Sequence, residues 1–223
     1  MNLKNLQRRL VEQAKEQVRE SLTKEVLVIQ AIRSHDELIK SEKRLKKIAR
    51  EWYSYETPEA AEKSNFLKFV VQKTDFVVKI LKLEETLGRK FVRRDKLPLQ
   101  AFGKSLLELE NTKEEIKQYI KFTMRGITPN FTKEATSLIA ARLLEKAGSM
   151  KQLAEFPSST IQMLGAEKAL FRHLIDSSSK SPKYGLIYSH PDVKNSKQKG
   201  KSARKLAGKL SLAIRKDYYK NEH

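Results

Sequence analysis

Apolar residues recur every three or four positions over most of this chain, the period of amphipathic helices. One such stripe runs from Val26 to Ile32, and residues 3 to about 56 contain neither Gly nor Pro. A long helical stretch is therefore predicted, ending near Pro58, because the residue before a proline resists helical angles. A second apolar helix is predicted from Phe66 to Leu87.

The most regular stripe follows Pro98, a residue that suits the first turn of a helix. Its spacing alternates between three and four residues, which is typical of a coiled-coil or helix-bundle seam. Lys113 interrupts the seam; it either fixes the register or, as we expect, extends to solvent. The apolar seam positions, predicted to form a coiled coil and a dimer contact, are Leu99, Phe102, Leu106, Leu109, Ile116 and Ile120.

Shorter elements follow the seam. An amphipathic helix is predicted from Lys133 to Ala147, with Gly148 as its left-handed cap. Gly185 to Tyr188 is predicted to be a short strand or extended turn, and a final helix to run from about Gly200 to Tyr218. With only 8 Gly and 6 Pro for tight turns, an all-α fold is expected.

Positive charge is concentrated at the carboxyl end. The formal net charge is +19, and residues 194–223 contain ten Lys or Arg against two acids. In the final helix, apolar residues from Ala203 to Ile214 form one face, while Lys201, Arg204 and Lys205 lie beside it. Lys199 extends the cationic face, and Lys183 with Tyr184 pairs a cation with a ring suited to stacking on an unpaired base. These residues predict binding to a polyanion, nucleic acid above all.

Several function classes are not expected. The absence of cysteine excludes disulfides and thiolate catalysis. Ser189, His190 and Asp192 lie within four consecutive residues and do not make a triad, since triad side chains must converge in space. The four His are scattered, so neither a metal nor another cofactor is expected, and the protein is predicted not to be an enzyme. No apolar run reaches the ~18 residues of a membrane span, and no membrane partner is expected.

Longer motifs carry a family resemblance. The segment from Pro157 to Leu174, PSSTIQMLGAEKALFRHL, followed by PKYGLIY at Pro182–Tyr188 and the basic helix, resembles the Nop domain of box C/D ribonucleoprotein scaffolds. REWYSYETPE at Arg50–Glu59 is similar to the end of that family's first coiled-coil helix. The resemblance implies a long antiparallel coiled coil before a compact, mainly helical Nop domain. The expected division is a remnant of an amino-terminal domain, or a leading helix, at 1–20, a coiled-coil domain at 21–127 and a Nop domain at 128–220.

The resemblance also implies partners. Nop proteins dimerise through the coiled coil and bind a box C/D guide RNA together with a ribosomal-protein-like kink-turn-binding protein. By position, the protein contact would come from Gly165, Ala166, Glu167, Phe171 and His173. The RNA contact would come from Lys168, Arg172, Lys183, Tyr184, Lys199, Lys201, Arg204 and Lys205.

One expected partner is left open. The family's amino-terminal domain docks a fibrillarin-type methyltransferase, but only about 20 residues precede the coiled coil here, so most of that domain is expected to be missing. The length and short tails resemble archaeal members, which implies a cytoplasmic location, or a nucleolar one if the source is eukaryotic. Two alternatives remain: a spliceosomal-type Nop protein that binds a small nuclear RNA, and a basic coiled-coil protein that binds nucleic acid non-specifically.

Overall fold

In a computed structural model, the structure describes residues 3–176 and 178–220. Within these ranges every regular element is a helix, which confirms the all-α prediction. The long helices are α1 (Leu3–Ser21), α2 (Lys24–Ser54), α6 (Arg93–Ile127) and α13 (Lys199–Lys220). The shorter ones are α3 (Pro58–Ala61), α4 (Phe66–Val70), α5 (Thr74–Ile80), α7 (Pro129–Ala135), α8 (Ser137–Ala147), α9 (Met150–Glu155), α10 (Ser158–Met163), α11 (Glu167–Ile175), α12 (Pro191–Lys194) and a 3-10 helix at Leu186–Ser189.

The fold has two compact units. One, the middle unit, consists of residues 34–116, and the other, the terminal unit, combines the residues up to 33 with those from 117 onward. Helices α2 and α6 each contribute residues to both units. The division at residues 20 and 127 that the sequence suggests is a different partition and stays a prediction. Part of its first segment, residues 1 and 2, lies outside the described residues.

In the middle unit, α2 and α6 run antiparallel. Lys46 forms an ion pair with Glu110, and Lys113, farther along α6, pairs with Glu42, earlier in α2. The expectation that Lys113 extends to solvent is therefore wrong. Its ammonium instead contacts a carboxylate that is 8% exposed, and a pairing of this kind fixes the register of the two helices.

The core of the middle unit lies beside these ion pairs. It is built around Tyr53 and Phe66, with Leu99 and Leu106 from α6. The predicted helix from Phe66 to Leu87 is wrong, because the chain turns between α4 and α5. The helical segment also ends before Lys82, whose φ is 56°. The turn lets both short helices direct apolar side chains inward, which one straight helix could not do.

Three further predictions about helix ends differ in outcome. Pro98 does not open its helix, since α6 begins at Arg93 and contains Pro98 in its second turn. A proline so near the amino end costs only one hydrogen bond, the one to the carbonyl of Arg94. The predicted helix from Lys133 to Ala147 is wrong at its start, because Thr136, with φ 67°, separates α7 from α8. Gly148 does end α8 as predicted: its φ is 87° and its N–H donates to the carbonyl of Leu144.

In the terminal unit, α13 packs against α7, α9 and α10. Its predicted apolar stripe is buried, and so are Leu153 of α9 and Ile161 of α10, the helices that α13 packs against. The start of α2 joins this unit through Glu25, which accepts a hydrogen bond from the Met150 N–H at 2.5 Å. The stripe consists of Ala203, Leu206, Ala207, Leu210 and Ile214.

Candidate nucleic-acid interface

The amino end of α13 presents a cationic face because its other face is buried. Lys201, Arg204 and Lys205 are exposed beside the buried stripe. Asp217, 2% exposed, fixes the far end of the helix by accepting hydrogen bonds at the start of α7. Such a helix presents its positive charges at fixed positions, which favours binding to a phosphate backbone.

Lys183 and Tyr184 lie beside this cationic face. Together with Lys199, Lys201 and nearby residues they line a cavity of about 390 Å³. The structure therefore brings the loop that contains Lys183 and Tyr184 next to the start of the basic helix α13, as a joint binding surface requires. Gln162 fixes the position of the loop that carries Lys183 and Tyr184, because its side-chain amide donates a hydrogen bond to the Lys183 carbonyl at 2.6 Å.

The sequence reasoning missed an aromatic pair, Tyr184 and Tyr188, of which Tyr184 lines this cavity. The rings of Tyr184 and Tyr188 stack with centroids 5.0 Å apart and an interplanar angle of 12°. The Lys199 ammonium lies 5.2 Å from the centre of the Tyr188 ring and donates to its hydroxyl oxygen at 3.4 Å. The four-residue spacing of the two tyrosines within the PKYGLIY string was the available signal, but spacing alone does not show that the rings stack.

Two backbone hydrogen bonds join this loop to the turn before α11. The N–H of Gly185 donates to the Gln162 carbonyl at 2.9 Å, and that of Leu186 donates to the Leu164 carbonyl at 2.7 Å. The predicted strand or extended turn at 185–188 is wrong, because residues Leu186–Ser189 form a 3-10 helix. A side chain at Gly185 would meet the Leu164 backbone, whose carbonyl carbon lies 2.7 Å from an added Cβ.

The turn at Gly165 sets the direction in which α11 begins. Gly165 has φ 87°, where other residues are strained, and its N–H donates to the Glu167 carboxylate at 2.7 Å. Burial raises the pKa of Glu167, but the hydrogen bonds from the Gly165 and Glu167 N–H groups and the charge of Lys146 outweigh it, so the pKa is lowered. Glu167 is thus held ionised at the start of α11, where the helix dipole also favours negative charge.

Helix α11 exposes most of the side chains for which partner contacts are predicted. None of its residues is buried; Phe171 is 63% and Leu174 68% exposed. Phe171, with Met163 and Leu170, lines an apolar groove of about 350 Å³. This nine-residue helix therefore has exposed apolar side chains at the groove, a kind of surface that marks interaction sites.

The remaining predicted positions on and before α11 divide by environment. Lys168 and Arg172 are exposed one helical turn apart, while Ala166 is half-buried at the N-cap. His173 is half-buried, and its Nδ1–H donates to the Ser179 carbonyl at 2.6 Å. One ring nitrogen of His173 therefore holds the turn that follows α11.

The predicted seam residues lie in the interior of the chain's own fold. Leu99 and Leu106 are each 1% exposed, and Ile120 is fully buried. Phe102, Leu109 and Ile116 are half-buried. The role of these residues as a contact between two chains stays a prediction.

Other polar candidates make local bonds. Ser189 Oγ donates to the Leu186 carbonyl at 2.7 Å, and His190 Nδ1 accepts from the Asp192 N–H at 3.3 Å, which caps α12. Among the described residues there is no group of three or more His, Cys, Asp or Glu arranged to hold a metal ion. No helix in the described part of the chain is long and apolar enough to cross a membrane.

Comparison with known proteins gives consistent matches. A family model described as "Nop: snoRNA binding domain, fibrillarin" matches residues 28–223. Nucleolar protein 58 of Schizosaccharomyces pombe is 36% identical over 216 residues, covering 86% of this chain and 42% of the relative. An uncharacterized NOP5 family protein of Methanocaldococcus jannaschii is 34% identical over 218 residues, covering 87% of this chain and 52% of the relative.

A solved structure is also similar. It is a crystal structure of a fibrillarin/Nop5p complex, whose matching chain has 25% sequence identity and a TM-score of 0.54. The match covers 97% of this chain and 70% of the other. The chain spans about half the length of the curated relatives it matches, 42% and 52% for the two described above.

Proposed function

The chain belongs to the Nop family of snoRNA-binding domains, and from that premise we propose that it is a non-catalytic scaffold of a box C/D particle. In this proposal it binds a guide RNA together with a ribosomal-protein-like kink-turn-binding protein. A partner enzyme carries out the RNA-guided 2′-O-methylation. The scaffold sets the position of the RNA relative to that enzyme.

The observation that carries the proposal is the joining of three motifs at one surface. The Gly165 turn, the Lys183–Tyr188 loop and the start of α13 are linked by the backbone bonds of Gly185 and Leu186 and by the shared cavity at Lys199. A cationic, aromatic cavity suits RNA, and the exposed apolar groove on α11 suits a protein. A composite ligand of RNA and protein fits both areas together.

Within this surface we assign contacts by chemistry. Cations and the stacked tyrosine contact the RNA: Lys168, Arg172, Lys183, Tyr184, Lys199, Lys201, Arg204 and Lys205. The protein contact is formed by the turn before α11 and the exposed apolar face of α11, that is Gly165, Ala166, Glu167 and Phe171, with His173 at the edge.

Two further partners belong to the proposal. A fibrillarin-type methyltransferase is suggested because the similar crystal structure is of a fibrillarin/Nop5p complex. A homodimer through the coiled-coil region is proposed with a restriction: Leu99 and Leu106 already fill the middle unit's own core, so a second copy would contact the half-buried positions Phe102, Leu109 and Ile116.

The test is a gel-shift series on a kink-turn RNA, with and without a purified kink-turn-binding protein. We expect weak, salt-sensitive binding to the bare RNA and at least tenfold tighter binding once the small protein is present. Adding fibrillarin then tests the third partner by a supershift. Equal affinity with and without the small protein would contradict the proposal.

A non-specific nucleic-acid binder is the second candidate, favoured by the net charge of +19. Competition separates it from the scaffold. Excess unrelated duplex RNA should displace a non-specific binder readily, whereas the ternary complex with the small protein should persist. A spliceosomal-type relative would instead prefer a kink-turn from a small nuclear RNA over a box C/D kink-turn.

A further inference from the structure

A second cationic cavity lies in the terminal unit, away from the residues assigned above. It has a volume of about 630 Å³ and lies between the carboxyl end of α6, helix α7 and the start of α8. Four cationic residues line it: Lys117, Lys121, Arg125 and Lys133. None of the residues proposed to bind RNA is among its lining residues.

The cations share one side of the cavity because of helix geometry. Lys117, Lys121 and Arg125 are four residues apart in α6, which places them on one face of the helix. Lys133 adds a fourth charge from α7. Lys121 and Arg125 are exposed, and among the described residues neither they nor Lys133 form an ion pair, whereas Lys117 has other contacts in the molecule.

In the described part of the chain, the cavity lining supplies no carboxylate to Lys121, Arg125 and Lys133. The lining residues include no Asp or Glu among the described residues, and the other polar ones are Thr132, Thr136 and Ser137. Thr132 is buried, and its hydroxyl donates to the Met124 carbonyl at 3.1 Å. The clustered charges of Lys121, Arg125 and Lys133 repel one another at close range, so an anion bound among them lowers the free energy of the cluster.

The floor of the cavity adds a fixed positive dipole. It includes Thr136, Ser137 and Leu138, the amino end of the eleven-residue helix α8. The side chain of the N-cap residue Thr136 makes no capping hydrogen bond, and the N–H groups of the first turn add to the positive potential. Thr136 has φ 67°, a costly angle for a β-branched residue, and the backbone there is held in a form that places the start of α8 at the cavity.

An exposed aromatic residue identifies the class of anion. Phe122 is 82% exposed and lies three residues before Arg125, so the two are neighbours on the helix surface. An exposed ring beside a row of cations suits an unpaired base whose backbone phosphate is neutralised by the row. An acidic peptide would use the charges but has no need of the ring.

We propose that this cavity is a second RNA site, which binds a backbone phosphate of a single-stranded segment while an unpaired base stacks on Phe122. The inference rests on the proposed RNA-scaffold function and extends it. One RNA would be held at two separate places on the terminal unit. Such an arrangement fixes the direction of the strand as well as its attachment.

The first test compares three variants on a kink-turn RNA that carries a single-stranded extension. They are the pocket variant Lys121→Ala/Arg125→Ala/Lys133→Ala, the surface variant Arg204→Ala/Lys205→Ala, and a control with equal charge loss, Lys151→Ala/Lys216→Ala/Lys220→Ala, whose three positions are exposed. The pocket variant should bind at least tenfold more weakly than the control. Its log affinity against log salt should be less steep by about 0.7, the contribution of one single-strand phosphate contact.

Truncating the extension provides the decisive comparison. The pocket variant and the wild type should bind an RNA without the extension equally well. Affinity of the pocket variant equal to that of the control on the extended RNA would overturn the inference while leaving the surface variant's loss, and so the proposed function, intact. Failure of the wild type to bind either RNA, even with the kink-turn protein, would overturn the proposed function itself.

A second measurement does not depend on the folding of the triple variant. Since the chain contains no cysteine, Ser137→Cys can carry a single photoreactive azide at the cavity, with Lys151→Cys as the matched exposed control. Irradiation should crosslink the Ser137→Cys protein to the extension and the control only weakly. Equal yields, or suppression of the crosslink by poly-glutamate at low concentration, would contradict an RNA site.

Discussion

Asp217, near the end of the chain, binds Asn130, which lies 87 residues earlier. Its carboxylate accepts from the Asn130 side-chain amide at 2.6 Å and from the Asn130 backbone N–H at 3.2 Å. The second oxygen accepts from the Phe131 N–H at 2.8 Å. These N–H groups belong to the first turn of α7, so a residue of α13 serves as the cap that Thr128 does not provide with its side chain.

The first prediction is that Asp217→Ala destabilises the terminal unit. The backbone N–H groups of Asn130 and the buried Phe131 would lose their carboxylate acceptor, a loss of about 2 to 3 kcal/mol. Urea unfolding followed by circular dichroism measures it. The neighbouring exposed Lys216→Ala is the control and should stay within about 0.5 kcal/mol of the wild type; equal effects of the two changes would refute the capping role.

The second prediction concerns Gly185. A Cβ added at Gly185 would collide with the backbone of Leu164 and Met163. The carbonyl oxygen of Met163 would lie only 2.8 Å from it. Gly185→Ala should therefore separate the tyrosine loop from the α11 turn and weaken RNA binding in the presence of the kink-turn protein by tenfold or more. Gly208→Ala is the matched control, because nothing lies within 4 Å of its added Cβ and alanine favours a helix interior by about 0.5 to 1 kcal/mol.

The third prediction is that RNA affinity depends on Arg204 and Lys205. Both are exposed on α13, so replacing both by alanine should leave the fold unchanged. Binding should weaken, and the salt dependence should become less steep by up to about 2 units in the slope. Gel shifts at several salt concentrations measure both quantities, with Lys216→Ala/Lys220→Ala as the control. Unchanged affinity would remove the cationic face of α13 from the RNA site.

The fourth prediction is a pH dependence centred on Glu42. Burial raises the pKa of Glu42, but hydrogen bonds from Lys113 and Lys46 and their charges outweigh it, so the pKa lies below the ordinary 4.5. A carboxyl whose pKa is lower in the folded state stabilises the fold above the unfolded pKa, and this contribution is lost as the pH falls through the folded value. The free energy of unfolding should therefore fall as the pH drops below about 5.

The matched variant for this prediction is Glu42→Gln. It should be less stable than the wild type at neutral pH and lose less stability between about pH 5 and 3, because its side chain has no proton to gain. Urea titrations at each pH provide the comparison. Parallel pH profiles for the two proteins would show that the ion pairs of Glu42 do not contribute to stability.

Much of the fold follows from local sequence. A helix with one apolar face must bury that face, so the stripe from Ala203 to Ile214 and the exposed Arg204 could be assigned from periodicity alone. Gly148 was predictable for a similar reason, since few other residues accept its left-handed angle. Breaks in helices were less predictable. The turn between α4 and α5 depends on how both helices pack on Tyr53 and its neighbours, and the local sequence does not reveal such packing.

The sequence alone determined the helical class, the cationic face of α13 and the motifs that identify the Nop family, because each depends on residues close together in the chain. Only the tertiary structure decided which distant residues meet. It paired Lys113 with Glu42 and stacked Tyr184 on Tyr188. It also placed Lys133 of α7 in the same cavity as Lys121 and Arg125 of α6. Helix periodicity fixes which way a side chain points, whereas the partner it meets depends on the packing of other helices against it.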